Sequence, residues 1–202
     1  MSGTGSGYDL SATTYSPDGR VFQIEYAQKA VDNGGTALAL CCKDGIVFAN
    51  EKFLLSKMLV PGTNKRIFPV DRHATLAISG LVADAKQIVE RVQASIFYSR
   101  YPGPVLADRV AMFMHMYTLY WSVRPFGSTV LLGVYDEVEG PQLYGIDPSG
   151  TAIKFKGIAV GTSIFYLVID SLQHPRIHQG RVARPGALKL RNFCQPTQRC
   201  LM

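Results

Sequence analysis

The chain has 202 residues, 47% hydrophobic and 18% charged, which suits one folded domain with a sizeable core and excludes global disorder. The formal charge of +6 is unevenly placed. Six basic residues and one acid follow Ser163, which leaves 15 basic against 14 acidic residues before it, so no basic domain face for nucleic acid is expected.

The first 19 residues are rich in Gly, Ser and Thr, contain no apolar secretory core, and read as a flexible arm. No apolar run is long enough for a membrane-spanning helix. Gly3, Gly5 and Gly7 follow no strand, so they are not read as a nucleotide loop. Ser16-Pro17-Asp18-Gly19 is a turn sequence. A helix is predicted from Arg20 to Asp32, with an apolar face wide enough to require a packing partner. Asn33-Gly34-Gly35 ends it.

Strands are predicted over 36–42 and 46–51, joined by Lys43-Asp44-Gly45, and over 65–70 and 74–79, joined across Asp71-Arg72-His73. Leu81, Ala85, Ile88, Val92 and Ile96 recur at helical spacing, so 81–100 is predicted helical. Pro102-Gly103-Pro104 is expected to stop that helix, and a second one is predicted over 106–122. Thr129 to Tyr135 is a near-continuous apolar run, the pattern of a strand covered on both faces. Shorter strands are predicted over 143–146, 151–155 and 156–160. Runs of strands and runs of helices give an α+β fold, an antiparallel sandwich covered by helices.

One segment is more specific than the rest. Tyr8-Asp9-Leu10 is followed by Tyr15-Ser16-Pro17-Asp18-Gly19-Arg20 and then Gln23-Ile24-Glu25-Tyr26-Ala27. This order and spacing resemble the amino-terminal signature of proteasome alpha subunits, and Tyr8-Asp9-Leu10 is similar to the type-3 group. Asn64-Lys65-Arg66, Gly80-Leu81-Val82-Ala83-Asp84-Ala85, Arg124-Pro125-Phe126-Gly127 and Asp147-Pro148-Ser149-Gly150 also have family counterparts. The resemblance runs from residue 7 to about residue 161.

The resemblance implies the N-terminal-nucleophile hydrolase-like fold, antiparallel sheets between helical layers. It implies a non-catalytic subunit of the 20S core that scaffolds a seven-membered alpha ring and gates substrate entry for ubiquitin-dependent degradation. The implied partners are neighbouring alpha subunits, beta-ring subunits and the carboxy-termini of regulatory particles or other activators, with no nucleic acid and no membrane. The implied location is cytoplasm and nucleus. Carried over residue by residue, Tyr8, Asp9, Pro17 and Tyr26 match the gating cluster. Lys65, Gly80 and Leu81 match the pocket that receives activator carboxy-termini, where an ammonium can pair with a terminal carboxylate.

Peptidase chemistry in such a fold needs a threonine whose own free amine is the base. Thr36 opens the first strand after 35 residues of chain, so it has no such amine. By alignment on the Gly45 turn, the nucleophile's place falls at Gly35 and those of its supporting acid and lysine at Glu51 and Arg66. Neither a cofactor nor a metal site is expected, because Cys41, Cys42, Cys194 and Cys200 lack metal-ligand spacing and fit a reduced compartment. Asp84 and Asp108 read as helix surface or interface charges, and Tyr117, Tyr120 and Trp121 as helix-face packing.

The pattern changes at residue 162. A short apolar stretch gives way to a sequence rich in Pro, Arg and Gln, and Pro175, Pro185 and Pro196 forbid long helices. Residues 162–202 are therefore expected to be an atypical basic tail, disordered or derived from a frameshift, a retained intron or a misplaced gene boundary. Two other functions stand as alternatives: an active N-terminal-nucleophile hydrolase and an RNA-binding variant using the basic tail.

Overall fold

The computed structural model describes residues 7–52, 56, 58–60, 62–98 and 100–162. The elements, in order, are α1 (Phe22–Asp32), β1 (Ala37–Cys41), β2 (Ile46–Asn50), β3 (Ile67–Pro69), β4 (Ala74–Gly80), α2 (Val82–Tyr98), α3 (Gly103–Met116), β5 (Ser128–Asp136), β6 (Gly140–Ile146), β7 (Ala152–Phe155) and β8 (Gly157–Val160). The expected basic tail lies outside the described residues, apart from Thr162.

Two antiparallel sheets result, ordered β2-β1-β8 and β3-β4-β5-β6-β7. The apolar run at 129–135 becomes β5, the centre of the larger sheet, and its first seven residues are buried. Side chains alternate across it. Val130, Leu132 and Val134 face α2 and α3, where Ile88, Val92, Leu106, Val110 and Met114 complete one core. Leu131 faces the other way and joins Ala37, Ala39, Ala77 and Leu143 in a second core, with Phe48 and Ile158 packed against it. The fold is thus a helical layer, a five-stranded sheet and a three-stranded sheet, the α+β sandwich expected.

The first two helices fall within two residues of their expected ends, but both ends of α3 differ by three residues or more. α3 begins at Gly103, inside the Pro-Gly-Pro sequence read as a stop. Pro102 is its N-cap and Pro104 lies in the first turn, where a missing N–H breaks no helical bond. The helix also ends at Met116, not Ser122. Thr118 closes it by donating its hydroxyl to the His115 carbonyl at 2.7 Å. Tyr117 then packs on Phe126 at 4.3 Å between ring centres. Tyr120 and Trp121, expected to pack along a helix face, are instead exposed.

Asp84, expected as a helix surface or interface charge, is mostly covered within the chain itself. Its side chain is 12% exposed. It accepts from Arg124 Nη1 at 2.7 Å and Nη2 at 2.9 Å, and from the Gly127 amide at 2.9 Å. This fork ties the first turn of α2 to the loop that enters β5. Burial alone would raise the Asp84 carboxyl, but Arg124 and the Gly127 amide outweigh it and hold it below the ordinary carboxylate range.

The packing and this ion pair each make a measurable difference to stability. Leu132→Ala should lower unfolding free energy by about 2–5 kcal/mol in denaturant titration, whereas Met112→Ala, on an exposed helix position, should change it by less than about 0.5 kcal/mol. Asp84→Asn should cost about 1–3 kcal/mol at neutral pH. Because the folded carboxyl is held below its unfolded value of about 3.9, its contribution is full above that pH and is lost as pH falls through the folded value. The stability gap between wild type and Asp84→Asn should therefore narrow on acidification, and a gap that widens would contradict the assignment.

Candidate functional site: the arm and the end of the sandwich

The residues from Gly7 to Arg20 form an arm that folds back on α1. Its turn closes at Ser16, whose amide donates to the Arg20 carbonyl at 2.9 Å while its carbonyl accepts from Gly19 at 2.8 Å. The Ser16 hydroxyl also accepts from the Arg20 amide at 3.0 Å. Pro17 occupies this turn at the surface. Arg20 then forms a two-pronged ion pair with Glu25 on α1 and lies 5.2 Å from the Phe22 ring centre. The side-chain bond to Arg20 holds the Glu25 carboxyl below its ordinary range.

Asp9 is the point where arm and helix meet. Its carbonyl accepts from the Gln23 side-chain amide. Its carboxylate faces the Tyr26 hydroxyl at 3.4 Å, a long contact from phenol to carboxylate. Tyr26 stacks on Phe22 at 6.2 Å, and Lys29 Nζ lies 5.8 Å from the Tyr26 ring. Partial burial, then the adjacent Asp9 carboxylate, push the Tyr26 phenol above its ordinary pKa. The structure therefore brings Asp9 and Tyr26 together. Pro17 sits apart from them in its turn, and Tyr8 projects at the surface beside Asp9.

At the end of the sandwich, β4 finishes at Gly80 with φ of +98°. A Cβ there would stand 2.3 Å from the Gly127 carbonyl oxygen, and one on Gly34 would stand 2.6 Å from the Gly80 amide nitrogen. Only glycine permits these approaches. Leu81 donates its amide to the Gly127 carbonyl at 2.9 Å and leaves its side chain largely exposed. Lys65 lies just before β3, exposed. Because β3 and β4 run antiparallel with Ile67 opposite Ala77, Lys65 reaches the same sheet end as Gly80 and Leu81. The three predicted pocket residues thus share one rim. Between Lys65 and Gly80, Arg66 directs Nη1 to the Gly80 carbonyl at 3.4 Å, and burial lowers its pKa.

Thr36 lies inside this end of the molecule. Its hydroxyl donates to Glu51 Oε2 at 2.9 Å, and its carbonyl accepts from the Glu51 amide at 2.7 Å. Ser79 donates to the Gly35 carbonyl at 3.0 Å. The Thr36 hydroxyl and the Glu51 carboxylate are thus in contact, one residue beyond Gly35, where the alignment places the nucleophile; the Arg66 guanidinium is directed instead at the Gly80 carbonyl. The nitrogen of Thr36 is a peptide nitrogen joined to Gly35, so it offers no amine lone pair to a nucleophile.

Sequence reading missed a surface on the arm. A cavity of about 300 Å³ opens between Leu10, Ala12 and Gln23 on one side and Trp121, Val123 and Arg124 on the other. The signal was present in the arginine-proline motif, but its link to the arm depends on the early end of α3.

Comparison with known proteins accords with this arrangement. A family model for the N-terminal signature of A-type proteasome subunits matches residues 8–30, the arm and α1. The general proteasome subunit model matches residues 31–179. The chain is 54% identical over 167 residues to the alpha type-3 proteasome subunit of Spinacia oleracea, covering 80% of this chain and 67% of the relative. It is 58% identical over 163 residues to the alpha type-3 proteasome subunit of Acanthamoeba castellanii, covering 78% and 64%. It is 46% identical over 167 residues to the probable alpha type-7 proteasome subunit of Saccharomyces cerevisiae, covering 80% and 58%. The chain spans roughly two thirds or less of the length of these relatives. With the signature folded as arm and helix, and the sandwich directly behind it, the chain belongs to the proteasome subunit family, in its alpha-type branch.

Proposed function

We propose that this chain acts as a non-catalytic subunit of the alpha ring of the 20S proteasome core. In this reading it scaffolds the ring between neighbouring alpha subunits, rests on the beta ring and gates substrate entry in ubiquitin-dependent degradation, in cytoplasm and nucleus. The observation that carries it is the placement of the alpha signature: arm, turn and helix precede Thr36 and pack on the sandwich end, so the position that could bear a nucleophile is internal. Asp9 and Tyr26 would hold the arm's turn in the pore-open arrangement, with Tyr8 presented to a neighbouring arm and Pro17 fixing the turn. Lys65, Gly80 and Leu81 would form this subunit's side of a pocket for an activator's terminal carboxylate, the lysine supplying charge and the glycine close approach.

The direct test is incorporation. The tagged chain should co-sediment with the four-ring barrel, and persistent sedimentation as free protein would refute the reading. In assembled particles Thr36→Ala should leave peptide hydrolysis unchanged, and a loss of hydrolysis would assign Thr36 a chemical role. Tyr26→Phe removes one hydrogen bond from phenol to carboxylate, about 0.5–1.5 kcal/mol, and should reduce activator-stimulated hydrolysis about two- to tenfold without abolishing assembly.

A further inference from the structure

Two side chains of α1 reach Asp9, and they hold different atoms of it. Gln23 and Tyr26 are three residues apart, so the helix sets them on one face. The Tyr26 hydroxyl stands 3.4 Å from the Asp9 carboxylate, beyond the ~2.5–3.0 Å of an ordinary O–H···O bond. Gln23 instead donates its side-chain amide to the Asp9 backbone carbonyl, within full hydrogen-bond reach. The next bonds along the arm stay inside it: Ser11 pairs with Thr13, and the Thr13 and Thr14 amides both turn back to Ser11. Among the described residues ahead of the Ser16 turn, the Gln23 amide is therefore the short tie between arm backbone and helix.

The tie is specific to an amide side chain. Its acceptor is a main-chain carbonyl, which offers only lone pairs, so the partner must donate. Glutamate has the shape of glutamine but sets carboxylate oxygens against that carbonyl, and methionine has the length without the donor. An uncharged donor also leaves the tie insensitive to salt, unlike the exposed Arg20–Glu25 pair beside it. Apolar burial does not do this work at Asp9. Leu10 is 85% exposed, and the nearest buried arm residue is Ala12, three positions on. Gln23 lines the same cavity as Leu10, Ser11 and Ala12, so its side chain lies under the arm and not in solvent.

We propose that Gln23 is the positioning residue of the arm: its amide fixes the Asp9 backbone against α1 and so sets where the Asp9 carboxylate and Tyr8 stand. The tie itself stands on this chain alone, and its effect on the gate rests on the alpha-ring reading above.

The tie is tested in the full-length chain by chymotrypsin cleavage after Tyr8 and Leu10. Gln23→Met and Gln23→Glu should raise the initial cleavage rate about fivefold or more at an unchanged thermal midpoint, with Glu at least as strong as Met. Unchanged cleavage, or a rise that only follows a lowered midpoint, would overturn the proposal. Co-sedimentation of the wild-type chain with the barrel tests the ring reading by itself, and if that fails the cleavage result alone decides the tie. In assembled particles Gln23→Met should lower activator-stimulated hydrolysis about two- to fivefold at unchanged incorporation. The same substitution in an Asp9→Ala background should cause no further loss, because the amide acts through Asp9. An equal further loss there, or no loss in either background, would contradict the positioning role.

Discussion

Close approach of three backbones holds the molecule's arrangement together. Gly34 follows α1, Gly80 ends β4 and Gly127 enters β5. Side chains at Gly34 or Gly80 would collide with the backbone of Gly80 or Gly127. Because the backbones touch, the end of α1 sits directly on the sandwich, and Leu81 can donate its amide to Gly127. The Asp84–Arg124 pair secures the same corner from the helix side and also satisfies the Gly127 amide. Separate these segments by a methyl group and the arm, α1 and the first strand lose their common seat.

That seat decides the chemistry. The first strand begins behind a packed helix, so Thr36 enters it as an ordinary chain residue. Its hydroxyl is directed at the Glu51 carboxylate, and the guanidinium of Arg66 is directed instead at the Gly80 carbonyl. This is a polar arrangement able to hold strands in place. It lacks the amine that would make the hydroxyl a nucleophile. The residues ahead of Thr36 form an arm closed by Ser16 and Arg20 and tied through Asp9 to Gln23 and Tyr26.

Much of this was legible from the chain. The period of the apolar residues located α1, the hairpins and the strand buried on both faces, because those signals are local. The signature from Tyr8 to Ala27 located the arm. Pro102 and Pro104 misled because proline breaks a helix in its interior but not in its first turn, and the aromatic spacing past Met116 concealed the stop made by Thr118. Asp84 and Arg124 are 40 residues apart, and β1 pairs with β8 across more than a hundred residues. No local period encodes such pairings. They are fixed by the closure of the sandwich and become visible only once both sheets exist.

The central claim is that the alpha signature remains attached ahead of the first strand and keeps Thr36 chemically silent. The measurement that tests it most directly is intact mass and amino-terminal sequencing of the mature chain from assembled particles, after exposure to an electrophile selective for amino-terminal threonine. The account predicts a chain that retains its arm and helix, with Thr36 unlabelled. A mature chain beginning at Thr36 and carrying the label would contradict it.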